Sequence, residues 1–204
     1  MRAIAMIILA AAGMAASGES QFTGHYTLDA GASDNIQQSI DRTIAPMNVI
    51  IRAIARRRLR ETNDAYDSVT LDCAGDRISI QFEHAAPVVV PATGAVIKWT
   101  DEDGETFDVS AKLVGRSIEQ VFAASDGVRT NRYTLSADGA SLTMNVAVQA
   151  PRLPGPLTYK LVFRRSGPTQ TGGLGVTTTF ASLSRLVLST LSRMPKAMHP
   201  APQI

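Results

Sequence analysis

The sequence predicts an all-β fold, a ten-stranded antiparallel meander barrel with a two-helix insertion between the first and second strands. Three observations predict it. Apolar and polar residues alternate along most of residues 22–165, as in half-buried strands. Asp-Gly pairs, typical of hairpin turns, separate several alternating segments. One segment, residues 34–60, instead repeats its apolar residues at steps of three and four, as a helix does.

The composition suits one medium domain with a buried core. The chain has 204 residues, of which 45% are hydrophobic and 19% charged, and this excludes a wholly disordered chain. Its formal charge of +2 makes nucleic acid an improbable partner. A single cysteine excludes an internal disulfide framework. Cys73 alternates in phase with Val69 and Leu71, so we expect a small buried hydrophobic residue.

Residues 1–17 have the pattern of a secretory signal peptide. A basic start is followed by an uncharged stretch of about 14 residues and the small residues Ala15-Ala16-Ser17. This stretch is too short for a membrane span, which needs roughly 20 apolar residues. The alternative to a cleaved signal is an uncleaved N-terminal anchor. The signal predicts a periplasmic or secreted protein. We assign residues 18–166 to the barrel domain, and residues 167–204 to a flexible linker, a candidate C-terminal helix and a disordered end.

The alternating segments define ten predicted strands. In the third, Ile78, Ile80 and Phe82 share one face, while Ser79 and Gln81 share the other. We expect glycine to adopt a positive φ at the Asp-Gly turns of residues 104, 127 and 139. The predicted strands comprise residues 22–28, 67–73, 77–83, 88–91, 95–100, 105–115, 116–124, 128–136, 141–149 and 157–165.

The helical segment divides into two predicted helices of about residues 34–45 and 46–60. Pro46 lacks an amide hydrogen and should interrupt the run. Ser33 or Asp34 is expected to cap the first helix. The residues that recur at helical spacing, and so predict one apolar face, are Ile36, Ile40, Ile44, Met47, Ile50, Ile51 and Ile54.

The order of these elements resembles the intracellular fatty-acid-binding branch of the lipocalin superfamily, the calycins. In those families a Gly-x-Trp signature lies in the first strand, after an initial phenylalanine. The matching motif here is Phe22-Thr23-Gly24-His25-Tyr26, with tyrosine in the tryptophan position. The resemblance also implies an arginine near the last strand packed on that ring, a place that Arg164 or Arg165 could fill. It covers roughly residues 22–165.

Two features depart from that family. Its members hold a ligand carboxylate with an Arg-x-Tyr pair in the final strand. The matching positions here are Leu161 and Phe163, so the resemblance implies that this clamp is absent. A signal peptide is also foreign to the intracellular branch. The resemblance therefore points to an exported lipocalin-like domain with a different cargo or none, since fold alone does not establish function.

The barrel interior is the first candidate site. If the strand from residue 128 turns Arg129, Asn131 and Tyr133 inward, a cation and an amide meet an apolar cavity suited to an amphipathic ligand. The opposite face also carries an arginine, Arg132, and periodicity does not choose between the faces. The residues that we predict to bind ligand are Phe107, Arg129, Asn131, Tyr133, Met144 and Tyr159.

The second predicted helix carries the other candidate site. Its arginines lie beside isoleucines, as in a basic amphipathic helix that rests on anionic lipid. A solvated outer face, helped by Glu61 and Asp64, is the alternative. The residues that we predict to contact a membrane or partner are Arg52, Arg56, Arg57 and Arg60.

No catalytic set, cofactor or metal site is predicted. The sequence has no Gly-x-Ser-x-Gly elbow, and its histidines are scattered. The leading hypothesis is a noncatalytic carrier of a small apolar or amphipathic molecule. The alternative is an envelope interaction module with a filled barrel that contacts lipid or a protein through its basic helix, and an enzyme is a distant third. The first two differ in cavity volume, because small-molecule sites usually exceed about 300 Å³.

Overall fold

A ten-stranded antiparallel sheet forms the framework of the protein. The computed structural model describes residues 21–83 and 85–166. Each strand begins and ends within two residues of the sequence prediction. The strands are β1 (Gly24–Leu28), β2 (Ser68–Ala74), β3 (Arg77–Phe82), β4 (Val88–Pro91), β5 (Ile97–Thr100), β6 (Thr106–Val114), β7 (Ser117–Ala124), β8 (Gly127–Leu135), β9 (Ser141–Gln149) and β10 (Leu157–Arg165).

The sheet curls into a nearly closed barrel, which confirms the predicted fold class. Its order is β4-β3-β2-β1-β10-β9-β8-β7-β6-β5, so the first and last strands of the chain pair with each other. The remaining opening lies between β4 and β5. An isolated bridge from Thr93 to Lys112 narrows it. Closure of this kind leaves few strand edges unpaired.

Period-two alternation places one face of every long strand inside the barrel. On β9 and β10, for example, Met144 pairs in register with Leu161, and Leu142 pairs with Phe163. All four side chains are at most 1% exposed. Cys73 is also buried, as predicted. The core is therefore the barrel lumen, lined by alternate residues.

The turns differ from expectation at one of the three Asp-Gly pairs. Gly104 and Gly139 have φ values of 82° and 71°, as predicted. Gly127 was expected to do the same, but it is the first residue of β8 and pairs with Ala124. Ser125 and Asp126 therefore form that turn, and glycine is not needed there for a positive φ.

Two helices lie between β1 and β2, as predicted: α1 (Ile36–Ile44) and α2 (Val49–Thr62). The predicted cap of α1 was wrong, because Asn35 accepts the hydrogen bond from the Gln38 amide at 3.1 Å. Ser33 and Asp34 instead accept hydrogen bonds from backbone amides of β10. Their short polar side chains thus tie the start of the helical segment to the barrel wall.

The predicted continuous apolar face holds for α1 and fails for α2. Ile36, Ile40 and Ile44 are buried against the barrel. In α2 the buried positions are Ala55 and Leu59. The spacing placed Ile50 and Ile54 on one apolar face with the isoleucines of α1, but Ile50 is 62% and Ile54 39% exposed. The break after α1 rotates α2, so that its apolar residues divide between two faces.

Arg165 takes the place that the resemblance implied for an arginine beside Tyr26. Its guanidinium lies 4.9 Å from the centroid of the Tyr26 ring and donates to the Tyr26 hydroxyl at 2.6 Å. A Cβ atom on Gly24 would lie 2.8 Å from the Arg165 Nη1, which explains glycine at that position. Arg164 instead forms an ion pair with Asp29. This cluster fastens β1 to β10 where the barrel closes.

Candidate functional site

A buried arginine occupies the barrel interior near the end of the barrel at which α2 is attached, which we call the helical end. Arg129 lies near the start of β8 with its side chain inside, and only 3% of the residue is exposed. Its Nε donates to Asn131 Oδ1 at 3.0 Å, and its Nη2 donates to the Tyr159 hydroxyl at 3.3 Å. None of the ion pairs among the described residues includes Arg129. Since a guanidinium stays protonated, the barrel holds a positive charge balanced only by neutral acceptors.

Neighbouring polar side chains extend this cluster across β7 and β8. Asn131 Nδ2 lies 3.4 Å from both Gln120 Oε1 and the Tyr133 hydroxyl. The Tyr133 hydroxyl donates to Gln120 Oε1 at 3.0 Å. Burial raises the pKa of Tyr133 well above its usual value, so this hydroxyl keeps its proton at physiological pH. These residues are fully buried on the same alternating face as Arg129.

The same cluster reaches the end of α2. The Tyr159 hydroxyl donates to Asn63 Oδ1 at 3.1 Å. Asn63 is the C-cap residue of α2, and its Nδ2 donates to the Leu59 carbonyl oxygen at 3.1 Å. Burial raises the pKa of Tyr159 as well, which keeps its hydroxyl a donor. A continuous hydrogen-bond path therefore joins Arg129 in the barrel to the last turn of the helix above it. We call Gln120, Arg129, Asn131, Tyr133, Tyr159 and Asn63 the interior polar cluster.

Donors outnumber acceptors in the interior polar cluster. The Gln120 Nε2 is buried and has no hydrogen-bond partner in the described part of the chain. A guanidinium also carries more N–H groups than the two bonds of Arg129 use. Buried unpaired donors are costly. The arrangement is therefore suited to receive an acceptor, and most strongly an anionic one.

A small cavity adjoins the interior polar cluster at the helical end of the barrel. Its volume is about 140 Å³, less than half of the roughly 300 Å³ usual for small-molecule sites. Phe122, one of its walls, is the register partner of Arg129. We call this space the mouth cavity. It is lined by Tyr66, Ile80, Phe82, Ala85, Ala86, Val88, Trp99, Thr100, Asp101, Glu102 and Phe122.

A larger open groove of about 570 Å³ lies between α1 and the outer wall of β7 to β10. Both positively and negatively charged side chains line it, among them Arg42, Glu119, Arg132 and Lys160. Arg132 and Lys112 lower the pKa of Glu119 by hydrogen bonding. The groove lies outside the barrel, and Glu119 is already paired with Arg132 and Lys112, so we do not assign it as the site. Within residues 21–83 and 85–166, no group of three potential metal ligands comes together.

All six predicted ligand-binding residues lie inside the barrel. The structure turns Arg129, Asn131 and Tyr133 inward and Arg132 outward, and so settles a choice that periodicity left open. Arg129 donates to the Tyr159 hydroxyl and to Asn131, and Asn131 in turn donates to the Tyr133 hydroxyl. Phe107 belongs to an aromatic group near the mouth cavity, with its ring 6.0 Å from that of Trp99. Whether any of them binds a ligand stays a prediction.

Sequence reasoning missed Gln120 and Asn63. Gln120 could have been found, because it lies in phase with Ile118 and Phe122 on β7, and a polar residue on an apolar face is informative. Asn63 follows a helix and precedes a loop, where the sequence has no periodicity. Its role depends on the angle at which α2 meets the barrel, which is set by tertiary packing.

The four arginines predicted to contact a membrane or partner occupy different environments. Arg52 donates to the carbonyl oxygens of Ala45 and Met47, and Arg56 forms an ion pair with Asp41 at 2.7 Å. These two side chains join α2 to α1 and the loop between them. Arg57 pairs with Glu61 on an exposed face, and Arg60 is exposed. Only Arg57 and Arg60 therefore lie on the outer surface of the helix pair.

Comparison with solved structures places this barrel among known folds. A "secretary abundant heat soluble" (SAHS) protein from Ramazzottius varieornatus is similar over 72% of this chain and 96% of its own, with a TM-score of 0.51 and 12% identity. The chain therefore has a lipocalin-like barrel fold. At this identity the likeness shows the fold alone.

Two other solved structures align with the lipocalin-like barrel at lower scores. A Schistosoma mansoni fatty-acid-binding protein in complex with arachidonic acid covers 74% of this chain and 100% of its own, at 15% identity and a TM-score of 0.47. A zebrafish ileal bile-acid-binding protein complexed with cholic acid covers 72% and 99%, at 9% identity and a TM-score of 0.47. No family model and no curated protein matches the chain.

Tyr159→Phe tests the link between the interior polar cluster and α2. The variant removes the hydroxyl that donates to Asn63 and accepts from Arg129. The free energy of unfolding should therefore fall by about 1–3 kcal/mol. Amide hydrogen exchange in the last turn of α2 should also become faster. Tyr133→Phe is the matched control, because its hydroxyl contacts only Gln120 and Asn131. Equal exchange rates in α2 for the two variants would contradict the link.

Proposed function

We propose that this protein is a noncatalytic binding protein for a small apolar or amphipathic molecule held in the barrel. The observation that carries the proposal is the interior polar cluster. Among the described residues, the buried Arg129 has no anionic partner and the buried Gln120 Nε2 has no acceptor. A carboxylate or similar group on the ligand would accept from both. The surrounding wall is apolar, which suits the rest of an amphipathic molecule.

The apolar body of the ligand would supply most of the binding free energy. Burial contributes about 25 cal/mol for each Å² of apolar surface removed from water. The mouth cavity of about 140 Å³ accepts a group of roughly benzene size. A longer chain requires the aromatic side chains of the mouth to move, and Tyr66 and Trp99 are only partly buried there. Access would lie at the segments that follow β3 and β5, which contribute Ala85, Ala86, Asp101 and Glu102 to the lining.

We also propose that the protein is exported. The support is the sequence of residues 1–17, which lie outside the described residues, as do residues 167–204. No helix in the described part of the chain is long and apolar enough to cross a bilayer. N-terminal sequencing of protein recovered from the cell envelope would give Gly18 as the first residue if the signal is cleaved. Met1 would reject cleavage in favour of the uncleaved anchor, and recovery of the protein from the cytosol alone would reject export.

A second candidate function is the interaction module with a filled barrel that contacts an anionic membrane. It is favoured by the small volume of the mouth cavity, about 140 Å³ against the roughly 300 Å³ usual for small-molecule sites, and by the outer face of α2. Val49 is 75% exposed and Ile50 is 62% exposed, while Ile54 lies on the same side. Arg57 and Arg60 flank these residues at helical spacing. Aliphatic side chains between arginines match the pattern of a helix that lies in the lipid headgroup region. Arg52 and Arg56 are held by α1 and its loop and would contribute little.

Arg129→Met tests the ligand-binding proposal. Decanoate and decanol have the same chain length, so their affinities separate the charge contribution from the apolar one. The variant should weaken decanoate binding by about 10- to 100-fold, since a charge-assisted hydrogen bond contributes about 1.5–3 kcal/mol. Decanol affinity should change little. Isothermal titration calorimetry measures both.

Two further variants control this experiment. Arg132→Met removes an arginine from the outer face of the same strand, where it pairs with Glu119, and should leave decanoate affinity unchanged. Arg129→Lys keeps the charge if Arg129→Met does not fold, and it should show an intermediate affinity. Decanoate binding that is equally strong in wild type and in a folded Arg129→Met variant would reject the proposed role of Arg129.

The membrane contact is tested by Arg57→Glu with Arg60→Glu. Sedimentation with vesicles of phosphatidylglycerol and phosphatidylcholine should show binding by wild type and at least a tenfold loss in the double variant, since each arginine contributes about 1 kcal/mol near an anionic surface. Arg77→Glu with Arg116→Glu makes the same charge change at the opposite end of the barrel and should bind as wild type does. Equal loss in both double variants would indicate net charge alone.

A further inference from the structure

The mouth cavity is walled by aromatic rings on two sides. Tyr66 and Phe82 stack with centroids 4.1 Å apart and an interplanar angle of 27°. Trp99 and Phe122 meet edge to face, with centroids 5.9 Å apart. Aromatic faces carry negative quadrupolar potential and attract cations, most of all organic ammonium groups. The rings come from different strands and from the segment before β2, so it is the barrel closure that assembles this wall.

A buried carboxyl group completes the lining. Asp101 begins the turn between β5 and β6 and is 8% exposed. Its Oδ1 accepts a hydrogen bond from the Glu105 amide at 2.8 Å, and the residue closes the turn with its backbone. Its Oδ2 is buried and has no hydrogen-bond partner among the described residues. The turn therefore supplies a hydrogen bond to Oδ1 and none to Oδ2.

Leaving that oxygen unpaired is unfavourable in the absence of a ligand. Burial raises the pKa of Asp101 and the nearby charge of Asp103 raises it further, while the backbone amides of Glu105, Asp103 and Gly104 in the turn counteract only part of the effect. A carboxylate in an apolar cavity costs free energy unless a cation or donor meets it. The aromatic wall and the unpaired oxygen favour the same kind of partner.

We propose that the mouth cavity is a subsite for an organic ammonium group carried on an apolar molecule. The carboxylate of Asp101 would accept an N–H···O hydrogen bond or pair with a quaternary nitrogen, while the rings of Tyr66 and Trp99 pack on its substituents. The volume of about 140 Å³ suits a head group of benzene size. This inference goes beyond the function proposed above, because it needs neither Arg129 nor an acceptor on the ligand.

The fluorescence of Trp99 offers a direct readout, because it is the single tryptophan of the chain and lines the mouth cavity. The probes are decylamine, which is protonated at pH 7, and decanol, which has the same chain without charge. Both are titrated below their aggregation concentrations. We expect decylamine to change the Trp99 emission and to bind at least about tenfold more tightly than decanol. Equal affinities would overturn the proposal.

Asp101→Asn isolates the carboxyl group. Asparagine keeps the Oδ1 that accepts from the Glu105 amide, so the turn is retained. The preference for decylamine over decanol should fall toward one, with decanol affinity unchanged. Asp103→Asn is the matched control, since it removes the same charge from an exposed position of the same turn and should keep the preference. A preference that survives in Asp101→Asn, or falls equally in Asp103→Asn, would overturn the proposal.

Decanoate in the same titrations separates this inference from the function proposed above. Loss of the preference for decylamine over decanol in Asp101→Asn, without an equal loss of decanoate binding, supports the subsite. Failure of decanoate to bind at all would reject the role of Arg129. The decylamine titrations would still decide whether Asp101 forms the ammonium subsite.

Discussion

A guanidinium inside an apolar barrel is the constraint on which the rest of the structure depends. Arg129 cannot give up its proton and is only 3% exposed, so the lumen must supply acceptors. Asn131 and Tyr159 supply them from β8 and β10. This fixes which face of β8 points inward and which neighbouring side chains are polar. Among the described residues the compensation stops short of a carboxylate, and an anionic ligand is the partner that would complete it.

The same constraint extends to the helices. Tyr159 bonds to Asn63 at the end of α2, so the helix pair is held over the barrel by the group that also contacts Arg129. Arg52 and Arg56 hold α2 to α1 on its other side. With its inner side and one flank engaged, α2 presents Val49 and Ile50 to solvent. The contacts of α2 with the interior polar cluster and with α1 therefore together position its outer face.

The sequence predicted the strands well because a wall with one buried face imposes a period of two. It could not choose the inward face of β8, since both faces carry an arginine. The choice depends on β7, where Glu119 pairs with Arg132 outside while Gln120 meets Asn131 inside. In α2 the spacing of the isoleucines did not predict their burial. Helical periodicity shows that residues share a face, and it does not show whether that face is covered by the rest of the protein.

The most direct measurement is a crystal structure of the full chain grown with decanoate. The account predicts the carboxylate inside the barrel, with oxygens within hydrogen-bond distance of the Arg129 guanidinium and of Gln120 Nε2, and the alkyl chain directed toward the mouth. A carboxylate bound on the outer surface, with the hydrogen bonds of Arg129 to Asn131 and Tyr159 unchanged and the lumen filled by side chains, would contradict it.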